Sequence, residues 1–275
     1  MRNVYVAFYP MRPVLFCASL SLAFATLATA AEQSAAGRTP APETFTEVWT
    51  PIPAVVSVPS STGLPTDAVV LFDGQNLDAW QPVAPTGRPW KVADGTMAVP
   101  AGRPGDLGTK QSFGDVQLHL EFRTPAEVKG DGQGRGNSGV FFMGLYELQI
   151  LDSYNNATYV NGQAGSVYKE HAPLVNASRP PGEWQSYDAI FIAPRFSADG
   201  KLQRPARMTA FHNGVLVLHD VVLTGPTPNG ASFREPKLPP YAAHAAALPI
   251  TLQDHGNPVS FRNIWVRELH LPATP

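Results

Sequence analysis

VQLHLEFRT, residues 116–124, alternates without a break through its first eight positions. Val116, Leu118, Leu120 and Phe122 share one face; Gln117, His119, Glu121 and Arg123 share the other. Successive side chains of an extended chain point in opposite directions, so this period of two predicts a strand buried on one side. The same texture recurs on either side. AVVLFDG and TMAVP precede it; SGVFFMG, YELQILD, QSYDAIFIAP, RMTAFHNGVLVLHDVVL, LPITLQDHG and VSFRNIWVRELHL follow, with Gly, Pro, Asn and Asp between them. In FHNGVLVLH the pair Asn213-Gly214 separates two strand-like runs, a strong hairpin signal because both residues tolerate positive φ. No long segment carries a convincing helical period. Roughly a dozen short strands over about 200 residues predict an all-β fold, a single antiparallel two-sheet β-sandwich over residues 67–272.

The flanking sequence differs in character. Arg2 and Arg12 give a basic start, residues 14–27 are apolar, and Ala28-Thr29-Ala30 is a small-x-small cleavage site. Residues 1–30 are therefore expected to be a signal peptide, too short in its apolar part to span a bilayer comfortably. The sole cysteine, Cys17, lies within it. The chain left after cleavage would carry no disulfide, which fits a periplasmic or secreted protein with a large core. Residues 31–66 are rich in Pro, Ala and Ser and are expected to be a linker or N-terminal arm. Removing the leader lowers Lys and Arg from 20 to 18 against 22 acids, a net charge of −4. The absence of a basic stripe argues against nucleic acid as a partner. Nothing after residue 30 reaches transmembrane length, so no membrane contact is expected after cleavage. The sequence sets no oligomeric state.

Three groups of polar residues stand out. In YELQILD, Leu148 and Ile150 share one parity and Glu147 and Gln149 the other, so the last two line the surface opposite the core. Asp152 falls on the core parity unless a bulge shifts it. The spacing Glu-x-Gln-x-x-Asp is similar to the Glu-x-Asp-x-x-Glu pattern of laminarinase-like retaining glucanases, whose two carboxyl groups lie about 5–5.5 Å apart. The other reading is a solvated strand face. In LQDHG, His255 beside Asp254 suits a general base or a metal ligand, or else Asp254 fixes a turn through local amides. In GSVYKEH, Tyr168 can stack on a sugar or exchange a proton, or simply anchor a loop. Asn137 and Ser138 can bond a ligand or fix the GRGNSG turn. Trp80, Trp90, Trp184 and Trp265 are expected to pack in the core or at sheet edges.

Taken in series, these segments resemble one family. LFDGQNLDAW resembles the opening signature of the 3-keto-disaccharide hydrolase-like domain family, and NSGVFFMGLYELQILDS its central signature. GSVY, PGEWQSYDAIF, FHNGVLV and LQDHGNPVSFRNIWVREL follow in the family's order. The resemblance implies a concanavalin A-like jelly roll and a carbohydrate substrate, a glycoside oxidised to a ketone at C3. It implies Glu147, His255 and Asp254 as catalytic residues and Gln149, Asn137, Tyr168 and Asp152 as substrate-binding residues. Asp254 suits orienting His255 or, with Glu147, holding a divalent cation at the enolate oxygen, and the sequence does not decide between them. The implied route removes the C2 proton, expels the C1 group and adds water. A non-catalytic lectin-like binding module and an ordinary retaining glycosidase remain as alternatives on the same fold.

Overall fold

The computed structural model describes residues 46–61, 63–228 and 237–271. The expected signal peptide, residues 1–30, and the start of the arm, 31–45, lie outside the described residues. The chain divides into two units, residues 1–55 and 56–275. The described part of the first, residues 46–55, is exposed and forms neither strand nor helix. Within the second, the stretch expected as linker ends in a closed loop. Thr66 N–H donates to Ser57 O (2.9 Å), and Ser57 N–H to Thr66 Oγ1 (3.2 Å).

Strands β1 (Val69–Phe72), β2 (Trp80–Pro82), β3 (Lys91–Ala93), β4 (Thr96–Ala98), β5 (Leu107–Phe113), β6 (Val116–Arg123) and β7 (Asn137–Phe142) come first. Then follow β8 (Tyr146–Leu151), β9 (Gln185–Ile192), β10 (Arg195–Phe196), β11 (Leu202–Arg204), β12 (Arg207–His212), β13 (Val215–Val222), β14 (Leu248–Leu252) and β15 (Ser260–Glu268). The larger sheet has the order β13-β12-β9-β6-β15-β4-β3, with β1 also on β15. The smaller has the order β2-β5-β14-β7-β8, and β10-β11 stand apart as a pair. Every pairing is antiparallel. This is the all-β sandwich that the alternating runs predict.

The reason is visible in β6, whose Val116, Leu118, Leu120 and Phe122 are buried while the residues between them are only partly so. The hairpin also forms: His212 pairs with Val215, and Asn213 and Gly214 both take positive φ. Aromatic rings bridge the two sheets. Phe142 of β7 stacks on Phe191 of β9 with centroids 4.8 Å apart, and Tyr146 of β8 lies 5.5 Å from the same ring. Truncating such a ring to alanine costs about 3–5 kcal/mol. Trp80, Trp90 and Trp265 are buried, and Trp184 is half-buried between the guanidiniums of Arg123 and Arg262.

Strand β8 ends the smaller sheet, yet its free edge is not left to solvent. Gln149 N–H donates to Ser166 O and Gly165 N–H to Gln149 O, both at 3.0 Å. Tyr168 N–H reaches Glu147 O at 3.3 Å, and Glu147 N–H donates to Thr227 Oγ1 at 2.9 Å. Two separate segments therefore complete the hydrogen bonding of one edge strand. They also bring Tyr168 and Pro228 over the face that carries Glu147.

Candidate functional site

The β7–β8 ladder keeps one register throughout: Gly139 faces Gln149 and Phe141 faces Glu147. Tyr146, Leu148 and Ile150 belong to the core, so Glu147 and Gln149 emerge on the opposite face. Gly139 leaves the room that the Glu147 carboxyl occupies; a Cβ there would overlap it. His255 arrives from elsewhere. It follows β14 in the tight turn before Gly256, whose φ is +83°.

These pieces meet in a cavity of about 90 Å³ lined by Glu147, Gln149, Asn137, Tyr168 and His255. Gln133, Phe141, Pro228 and Gln253 complete its wall. Five of the seven residues expected from the sequence thus face one space. The volume is small beside the ~300 Å³ of ordinary ligand pockets, so it has room for only part of a ligand of that size.

The electrostatics of the cavity are unusual. Glu147 is 3% exposed. Burial, with a smaller push from the Asp106 carboxylate, raises it to about 8. A carboxylic acid that keeps its proton at neutral pH can donate it. Tyr168 hydroxyl lies 2.5 Å from that of Tyr159, and its own pKa is raised, first by burial and then by Tyr159 and Glu147. Gln149 Nε2 donates to Gln133 Oε1 (3.0 Å), while its buried Oε1 has no partner among the described residues. Gln253 Oε1 is likewise buried and unpartnered. Unsatisfied buried acceptors are costly, and here two of them belong to side chains lining the same cavity. His255 is exposed, with Nδ1 3.4 Å from Asn257 Oδ1.

Asp152 and Asp254 do not line this cavity. No bulge interrupts β8, so Asp152 keeps the core parity. Its carboxylate is buried against Arg135 at 2.5 Å, and its N–H donates to Gly136 O. It faces Arg135 rather than the cavity in this arrangement. Asp254 Oδ2 accepts the Gly105 N–H (2.9 Å) and Oδ1 the Gly256 N–H (2.8 Å). It holds the turn that carries His255, rather than bonding the imidazole. Both its oxygens are engaged by backbone amides, and it is not among the residues that line the cavity with Glu147. Among the described residues, no three His, Cys, Asp or Glu side chains gather as a metal site.

Several residues in or beside the cavity carry little signal in the sequence. Gln133 lies in a short 3₁₀ turn, Gly132–Gly134, held by Asn156 and bonded to Thr158. Phe141 reads as an ordinary strand residue. Asp106 reads as a loop acid, yet it accepts the Asp254 N–H at 2.7 Å and acts on Glu147. Gln253, next to Asp254, carries a signal only as a polar residue at a strand end.

Residues 67–267 match the 3-keto-alpha-glucoside-1,2-lyase-like domain family. A crystal structure of a candidate glycosyl hydrolase from Parabacteroides distasonis ATCC 8503 is 44% identical, covering 82% of this chain and 95% of its own, with a TM-score of 0.73. Another candidate glycosyl hydrolase from the same organism is 23% identical, covering 74% of this chain and 99% of its own, with a TM-score of 0.50; it speaks to the fold alone. No curated protein matches the chain. The chain belongs to the 3-keto-alpha-glucoside-1,2-lyase-like domain family.

Proposed function

We propose that this family member is an exported, carbohydrate-active enzyme that cleaves 3-keto-glycosides by elimination. The observation that carries the reading is a buried carboxylic acid, Glu147, facing the same small cavity as the imidazole of His255. The similarity to a candidate glycosyl hydrolase supports the substrate class.

The chemistry follows from the ketone. A carbonyl at C3 acidifies the C2–H bond. The imidazole of His255 takes that proton, and the bonding pair moves into an enolate on the C3 oxygen. The enolate pair then forms C1=C2 as the C1–O bond breaks, and Glu147 protonates the departing oxygen. General acid and base steps each contribute about 10²–10⁴-fold. Water adds across the new double bond, hydroxyl to C1 and proton to C2, for a net hydrolysis. Gln149 and Asn137 orient sugar hydroxyls, with Gln149 Oε1 free to accept one. Asp254 and the Gly256 amide position the base. An ordinary retaining displacement would need a second carboxyl facing the same bond, but the second acid of the strand pattern, Asp152, is bound to Arg135.

The test is turnover of a 3-keto-glycoside against its unoxidised parent, followed in deuterated solvent. Cleavage confined to the keto substrate, with deuterium entering C2, is the expected result. Equal cleavage of both substrates without exchange would establish displacement at C1, and binding of both without cleavage would establish a lectin-like module.

A further inference from the structure

The cavity around Glu147 is not the end of the concave face. A groove of about 400 Å³ runs from it across the outer surface of the smaller sheet. Phe141 and Gln253 line both spaces, so the two adjoin across these side chains. Pro82 and Pro249 add apolar surface to Phe141, while Asp106, Thr251 and Gln253 supply polar atoms.

We propose that this groove is the subsite for the leaving group, and that it takes a neutral sugar ring which Asp106 selects. That the occupant is the leaving group rests on the reading above, in which Glu147, paired across the ladder with Phe141 of the groove wall, protonates the departing oxygen. Three observations converge on the ring. The reacting cavity, at about 90 Å³, admits only part of a substrate, whereas the adjoining groove has the volume of an ordinary ligand pocket. A pyranose offers an apolar C–H face and a rim of hydroxyls, and the groove offers proline and phenylalanine surface beside acceptors. Gln253, whose Oε1 is buried and has no partner among the described residues, lines both spaces.

Asp106 adds selectivity. One oxygen is engaged by the Asp254 N–H at 2.7 Å, and the carboxylate retains capacity for further donors. Sugar hydroxyls can donate to it. A carboxylate or phosphate on the leaving group would meet a half-buried negative charge instead, and like charges in a partly desolvated site are mutually excluding. The groove therefore discriminates against acidic leaving groups.

The test needs no turnover, so its outcome is separate from that of the proposed reaction. The isotope-labelled full chain is titrated with D-glucose and, separately, with D-glucuronate, and its NMR signals are followed. Glucose is expected to shift signals of Gly108, Thr251 and Phe141, with glucuronate about 10-fold weaker. Asp106→Asn keeps the acceptor for Asp254 and is expected to remove that preference. Thr251→Trp, filling the groove, is expected to abolish the glucose shifts. Should it fail to fold, Asp106→Asn decides alone. Glucose shifts confined to the surroundings of Glu147 and His255 would overturn the proposal, as would no glucose binding or an unchanged preference in Asp106→Asn. Glucose binding in the groove of a protein that cleaves no keto-glycoside would support the subsite while overturning the reaction.

Discussion

Gly139 lies beside Glu147 in the smaller sheet, and the side chain it lacks is the space the carboxyl fills. A Cβ at that position would stand 3.0 Å from Glu147 Cδ and 2.9 Å from the Phe141 ring. Both neighbours are hemmed in, since Glu147 is buried and Phe141 forms the wall shared by cavity and groove. Gly139→Ala is therefore expected to push the acid out of place. Turnover should fall by about 100-fold, the scale of one misplaced acid, while the far-ultraviolet circular dichroism stays that of a β-sandwich. Undiminished kcat in this variant would show that Glu147 does not act from where it sits.

Glu147 also leaves a mark on stability. Its folded pKa is raised from 4.5 to about 8, so between those values the unfolded chain has lost a proton that the folded chain keeps. Stability then falls as pH rises, by about 1.4 kcal/mol per unit, and levels off above the folded pKa. Glu147→Gln abolishes this loss. Urea melts are expected to show the variant close to the parent near pH 4.5 and about 3–5 kcal/mol more stable relative to it at pH 8. A difference independent of pH would contradict the raised pKa.

The two proton-transfer roles separate by exchange. His255→Ala should lose both turnover and C2 deuterium incorporation, because the base acts before the bond breaks. Glu147→Gln should lose turnover by about 100-fold yet retain C2 exchange, since the enolate can still form and return. The opposite pattern would reverse the assignment of base and acid.

Asp152 predicts a purely structural loss. Removing it leaves Arg135, 9% exposed, without its carboxylate partner. Breaking one side of a buried ion pair costs about 3–5 kcal/mol. Asp152→Ala should melt earlier by that amount and, where folded, bind sugar like the parent; a selective loss of sugar affinity would return Asp152 to the site.

The fold was legible wherever one face is wet and the other dry. Val116–Arg123 alternates because its sheet has core on one side only, and Asn213-Gly214 supplies a turn that few other dipeptides can make. The same parity rule correctly placed Glu147 and Gln149 together. It carried no news of what would cover them. All six residues of β8 are buried, because the Gly165–Tyr168 and Thr227 segments close over the edge of their strand. Asp152 illustrates the limit: whether it faces a ligand or a counter-ion depends on Arg135, 17 residues earlier, and on the absence of a bulge. Asp106 and Asp254, 148 residues apart, meet only through the sheet order. Residue type and spacing mark which groups can do chemistry, while long-range closure decides which of them share a cavity.

The covered edge of β8 has one more implication. An unpaired outer strand is a template for further strands, from another copy or a misfolded chain. Here that template and the acid Glu147 lie on the same six residues, beneath the same two coverings. Peeling back Gly165–Tyr168 would bare the backbone of β8 and flood the acid with water in one motion. Protection against self-association and maintenance of the dry acid thus rest on the same two coverings, and loss of those coverings costs both.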